Sequence, residues 1–183
     1  MHAIARAILL TAVGSLTFSS TVWATDQSPD ILIIEGKETE VCAFLLEEYF
    51  EVYPEKRPEP GWVLTSLGRG YIATFSLNAG HLFISNIEIF VTEGMPEDVG
   101  PILEIEYMKL KSVIDSVFQT EADRSMAWFS GNVDVLDTFP AEESAAEPFV
   151  TQRKRLQFKE GVLMQSTIIG AEEHGEGVIF ICT

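Results

Sequence analysis

The stretch YIATFSLNAGHLFISNIEIFV, Tyr71–Val91, decides the fold. Its first seven residues alternate, with Tyr71, Ala73, Phe75 and Leu77 on one side and Ile72, Thr74 and Ser76 on the other. Side chains of an extended chain point to opposite faces in turn, so this pattern is a strand with one buried face. Asn78-Ala79-Gly80-His81 is a turn, with glycine supplying the positive φ that tight hairpins need. Leu82–Val91 then returns, and plain alternation predicts Phe83, Ser85, Ile87, Ile89 and Val91 on one side. Two such runs joined by so short a turn are an antiparallel pair.

The same pattern recurs outward from this hairpin. Asp30–Glu35 (DILIIE) is an apolar run of strand length; Gly36-Lys37 turns it, and Glu38–Ala43 returns. Phe149–Phe158 and Val162–Ile169 flank the turn Lys159-Glu160-Gly161. Met126–Leu136 is predicted as a strand with a bulge at Gly131, Val63–Leu67 as a short strand, Ala171–Gly177 as a charged turn and Val178–Cys182 as the closing strand. Two helices interrupt the strands. Leu45, Leu46, Tyr49 and Phe50 share one helical face, which predicts a short helix near 44–52 that Pro54 stops. Leu110, Val113, Ile114, Val117 and Phe118 fall at helical spacings, which predicts an amphipathic helix near 108–119. The expected fold class is α+β: a curved antiparallel β-sheet or partial barrel built from hairpins, packed by the helix near 108–119.

Residues 1–24 have the three-part pattern of a secretory signal peptide. Arg6 supplies the positive end, Ala7–Phe18 the apolar run, and Val22-Trp23-Ala24 a small-residue cleavage site. Ser15–Thr21 is too polar for a membrane anchor, which needs about 20 apolar residues. The expected mature domain is 25–183, 159 of the 183 residues, enough for one domain with its own core. Its expected location is the periplasm or the medium outside the cell. The leader holds one base and no acid, so the net charge of −16 becomes −17 on its removal. That balance argues against nucleic acid, whose phosphates need a basic face, and against anionic membrane surfaces. It favours attraction to basic partners. Cys42 and Cys182 are the two cysteines, and in an oxidising compartment they are expected to form a disulfide.

Four segments, Pro54-Glu55-Lys56-Arg57-Pro58, Arg69-Gly70-Tyr71-Ile72-Ala73-Thr74-Phe75, Lys111–Phe118 and Trp128-Phe129-Ser130-Gly131, together resemble a family of small bacterial proteins of unknown function, over roughly residues 30 to 165. The resemblance implies a leading hairpin, an RGY-x-AT-F strand and a later WFSG-type strand. It implies no activity and supplies no catalytic residue.

Few residues point to chemistry. No G-x-S-x-G elbow or other nucleophile motif occurs, and His81 reads as a turn residue. Glu172, His174 and Glu176 make the most ligand-like cluster, yet their spacing matches no standard metal site and a hairpin turn accounts for the same residues. Asp134, Asp137, Glu142 and Glu143 form an acidic patch that lacks the glycine-centred loop of a calcium site. Arg69 stands between two glycines; its guanidinium could take a carboxylate ligand, while the acidic excess favours an internal pair. Trp62 after Pro60-Gly61 could anchor a contact. Alternation sets Arg153 and Arg155 on one strand face and Lys154 on the other. The expectation is a non-catalytic exported acidic protein, without a cofactor, that binds a basic extracytoplasmic protein or a small ligand. The rival is a small exported hydrolase using scattered carboxylates.

Overall fold

The structure, a computed structural model, describes residues 27–41, 43–62, 64–94, 107–140 and 149–174. Its strands are β1 (Asp30–Ile34), β2 (Lys37–Val41), β3 (Ile72–Asn78), β4 (His81–Thr92), β5 (Met108–Ser112), β6 (Gly131–Pro140), β7 (Phe149–Lys159) and β8 (Val162–His174), with helices α1 (Leu45–Val52) and α2 (Ile114–Val117). All eight strands join one sheet in the order β3-β1-β2-β6-β7-β8-β4-β5, and β3 also pairs with β4. That extra pairing brings the order back on itself. Seven strands trace a ring, and β5 pairs with the far end of β4, on the edge away from β3.

The sheet is mixed, which corrects the all-antiparallel expectation: β1 and β3 run parallel, from Ile31↔Thr74 to Ile34↔Leu77. A parallel pair needs a long connection between its strands, and here β2, α1 and the proline-rich connector supply it. Closure is thin. Among the described residues β4 meets β8 at the single pair His81↔Val162, and β2 meets β6 only at Glu40↔Leu136 and Val41↔Val135. The sheet is a mostly closed ring and not a barrel.

Three hairpins turn on an X-Gly pair with both φ angles positive: Glu35-Gly36, Ala79-Gly80 and Glu160-Gly161. These turns twist with the strands they join. On β4 the inward face differs from plain alternation. Phe75 pairs with Ile84 but Thr74 pairs with Asn86, so Ser85 is an extra residue. Leu82 and Ile84 are buried before it and Ile87 after it, while Ser85 is exposed. A bulge reverses the phase of alternation, so Phe83 and Ser85 do not share the inward side with Ile87.

The helix expected near 108–119 is the main correction. Met108–Ser112 is a strand paired with Glu88–Thr92 of β4, and helix is confined to Ile114–Val117. MKLKS alternates as well as it fits a helical face, and the open edge of β4 offers backbone partners that decide the contest. Ile114, Val117 and Phe118 are buried, as helical spacing requires, whereas Leu110 is exposed. α1 lies at Leu45–Val52 with Leu45, Leu46 and Phe50 buried. The other differences are smaller. Met126–Ser130 precedes the strand that begins at Gly131, Thr65–Leu67 is a 3-10 turn, and β8 runs to His174 through part of the expected 171–177 turn. Val178–Cys182 lies outside the described residues. Among the described residues no helix is long and apolar enough to cross a membrane.

Candidate functional site

An aromatic row stands at the edge of α1. Tyr49 and Tyr53 are four residues apart, hence neighbours along one side of the chain. The Tyr49 ring lies 4.9 Å from Tyr53, 5.2 Å from Trp128 and 5.2 Å from Phe118, centroid to centroid. Phe118 is buried and roots the row in the core. Tyr53 and Trp128 carry it outward, 46% and 38% exposed, beside the exposed Val52. Trp128 sits on the turn before β6, which is fixed by Met126 N–H donating to the Leu82 carbonyl and Phe129 N–H to the Met126 carbonyl. The surroundings are anionic. Burial pushes the Tyr49 phenol up, and Tyr53, Glu55 and Asp123 add to that shift. Glu48 and Glu51 on α1 are exposed, and no base lies in its last turn. Partly exposed aromatic faces edged by carboxylates suit a cation.

Arg69 is committed internally. Its side chain is 6% exposed and that of Asp30 is 0% exposed, with Nη2 2.6 Å from Asp30 Oδ1. Arg69 Nη2 also donates to the Ser28 carbonyl and Nε to the Tyr71 carbonyl, and the guanidinium lies 4.2 Å from the Phe44 ring centroid. Ala73 N–H donates to the same Asp30 oxygen. The polar chain continues outward: Tyr71 Oη donates to Glu47, Arg57 pairs with the other Glu47 oxygen and Arg57 lies over the Phe50 ring. Among the described residues Asp30 Oδ2 and Arg69 Nη1 are buried without a hydrogen-bond partner. The arginine singled out between glycines therefore holds the start of β1 to the turn before β3.

Burial pushes the Asp30 carboxyl up to about 6, against the opposing pull of Arg69 and the Ala73 N–H. The folded state then binds more protons than the unfolded state between the ordinary carboxyl value of 3.8 and about 6. A carboxyl shifted upward stabilises the fold most at low pH and loses that contribution as pH rises through this window. The shift corresponds to about 3 kcal/mol. Urea unfolding from pH 3.5 to 7 is expected to show this slope as a difference between wild type and Asp30→Asn. Identical pH profiles for the two would refute it.

The remaining predicted residues do not join either cluster. Trp62 is exposed, its backbone N–H donates to the Phe90 carbonyl, and it lines a shallow open depression with Phe90, Val91 and Thr92. His81 is an exposed residue at the start of β4, opposite Asn78. Glu172 and His174 lie in strand β8, in register with Thr151 and Phe149 and not in a turn. Glu176, Cys42 and Cys182 lie outside the described residues, as do Glu142 and Glu143. Asp134 is held by Arg155 through two hydrogen bonds of 2.7 Å, which lower its carboxyl pKa. Among the described residues no group of three or more His, Cys, Asp or Glu is placed to hold a metal ion. Tyr49, Tyr53 and Trp128 were not marked as a site by sequence. The i, i+4 tyrosine pair was visible, but its meeting with a tryptophan from the far side of the chain was not. Compared with family models, curated proteins and solved structures, the chain matches none.

Proposed function

We propose that this is a non-catalytic exported protein that binds a basic protein partner through the Tyr53–Tyr49–Trp128 row. The observation that carries it is the row itself: three touching rings, two of them well exposed, rooted on buried Phe118 and edged by Glu55 and Asp123. Tyrosine and tryptophan supply large contact area at small entropic cost and dominate binding hot spots. The net charge of −16 suits a cationic partner and would speed encounter with it. The hydrolase alternative needs an accessible perturbed carboxylate. Asp30, whose pKa is raised, is sealed behind Arg69, which favours binding over catalysis.

The test uses basic proteins recovered from the envelope fraction and the mature chain. Association is expected to slow steeply with added salt, and Trp128→Ala is expected to weaken binding by about 2 kcal/mol, roughly thirtyfold. Salt-independent association that Trp128→Ala leaves unchanged would exclude this surface.

The same proposal places the protein in the periplasm or outside the cell, with residues 1–24 removed and Cys42 joined to Cys182. Intact-mass measurement on exported protein checks both. A chain beginning at Thr25 and lacking two hydrogens is expected. A full-length mass, or two thiols open to alkylation, would count against export or against the bridge respectively.

A further inference from the structure

Among the described residues the ring is filled along part of its length and open at one end. Leu32, Val133 and Leu156 fill its inner face. Nearer the open end the inner positions change chemistry. Ile34 of β1, Lys37 and Thr39 of β2, Val135 of β6 and Lys154 of β7, with Glu35 at the turn, line a pocket of about 230 Å³. Register places them together. Ile34 pairs with Lys37, and Val135 pairs with Lys154. Residues directly opposite in an antiparallel pair share a face, and Val135 is buried.

Two gaps keep this end open. Below Glu40, β2 is not in register with β6, and the Thr39 hydroxyl donates to the Leu136 carbonyl across the gap. On the other side β8 leaves β4 after Val162. Ile168, which pairs with Lys154, is 58% exposed there, an apolar side chain at the unwalled edge.

Lysine is an unusual choice for the inner face of a strand ring, because its ammonium must reach water or a partner. Here two of them, from different strands, border one apolar floor. Each already takes part in an interaction of its own, but an ammonium has three donors and can serve a second acceptor. Mouths of strand rings with apolar walls and a few convergent polar groups are ordinary ligand sites.

We propose that this mouth binds a small alkyl carboxylate, its acid held by Lys37 and Lys154 and its hydrocarbon on Ile34 and Val135. At about 30 Å³ per water-sized group the pocket holds roughly eight non-hydrogen atoms, the size of hexanoate. The site stands apart from the aromatic row, and its failure would leave the partner proposal untouched.

The test is an NMR titration of the full mature chain with hexanoate, hexylamine and hexanol. Hexanoate is expected to shift the amides of Ile34–Thr39, Val135 and Lys154 saturably, hexanol to bind about tenfold more weakly and hexylamine not to bind, since the head group contributes a charge-assisted hydrogen bond. Lys37→Gln and Lys154→Gln are each expected to weaken hexanoate by about tenfold, with Lys154→Arg retaining it and Trp128→Ala leaving it unchanged. Unshifted amides in helices α1 and α2, which line no part of the pocket, confirm that the variants are folded. No saturable shift with hexanoate, equal binding of hexanol, or indifference to both glutamine variants would overturn the proposal.

Discussion

Arg69→Ala is expected to lower the unfolding free energy by about 3–5 kcal/mol, the usual result of removing one partner of a buried ion pair. The reason lies in what stays behind. Asp30 is wholly buried, and its Oδ1 would keep only the Ala73 N–H. Its Oδ2 already has no partner among the described residues. The carbonyls of Ser28 and Tyr71 would lose their donors as well, and Phe44 would lose the cation stacked on it. The desolvated carboxylate would respond by taking a proton near neutral pH, so the loss should be smaller at pH 4 than at pH 8. The double variant Asp30→Asn/Arg69→Met separates charge from packing. It is expected to be closer to wild type than Arg69→Ala, because replacing both partners of a buried pair by neutral groups removes the unpaired charge. Urea unfolding of the three proteins measures all of this. A loss under about 1 kcal/mol for Arg69→Ala would match an exposed pair and contradict the burial described above.

How much of this was legible in the chain follows from which interactions are local. The three hairpins were readable because alternation and an X-Gly turn both lie within a short stretch: two turns fall at Ala79-Gly80 and Glu160-Gly161 as expected, while the first falls at Glu35-Gly36, one residue before the expected Gly36-Lys37, because Lys37 already pairs with Ile34. The phase reversal on β4 was not readable. Ser85 is neutral to either face, and only pairing with Phe75 and Thr74 shows it to be the extra residue. Met108–Ser112 was ambiguous in principle, since its pattern fits both periods and the choice depends on a free edge supplied by β4. Ring closure was invisible for the same reason. The parallel β1–β3 ladder and the single β4–β8 pair are meetings of distant segments. Of the sites, Arg69 stood out by its glycine neighbours, but its partner is 39 residues away. Tyr49 and Trp128 are farther apart still, so no window of sequence holds the aromatic row.

Gly161→Ala is expected to be the most damaging small substitution in the hairpin turns. The turn residue has φ +73°, and an added Cβ would lie 2.7 Å from the Met126 carbonyl oxygen and 2.9 Å from its carbon. Backbone atoms cannot swing aside as a side chain can. Gly36, at φ +79°, has nothing within 4 Å of the same added atom. Gly36→Ala therefore reports the left-handed backbone alone, about 1–2 kcal/mol, and Gly161→Ala reports that cost plus the collision. An additional loss of about 2 kcal/mol or more is expected from overpacking against a fixed backbone. The collision also falls where the ring is joined. Gly161 N–H donates to the Phe129 carbonyl, and the Gly161 carbonyl accepts from Leu82 N–H, so the β7–β8 turn, the start of β4 and the turn carrying Trp128 meet at this residue. Displacing Met126 would move Trp128 with it. Gly161→Ala should thus weaken binding of a basic partner as well as stability, while Gly36→Ala should lower stability alone. Equal losses of stability in the two variants would mean that the contact with Met126 yields without cost and that the ring is not held at this point.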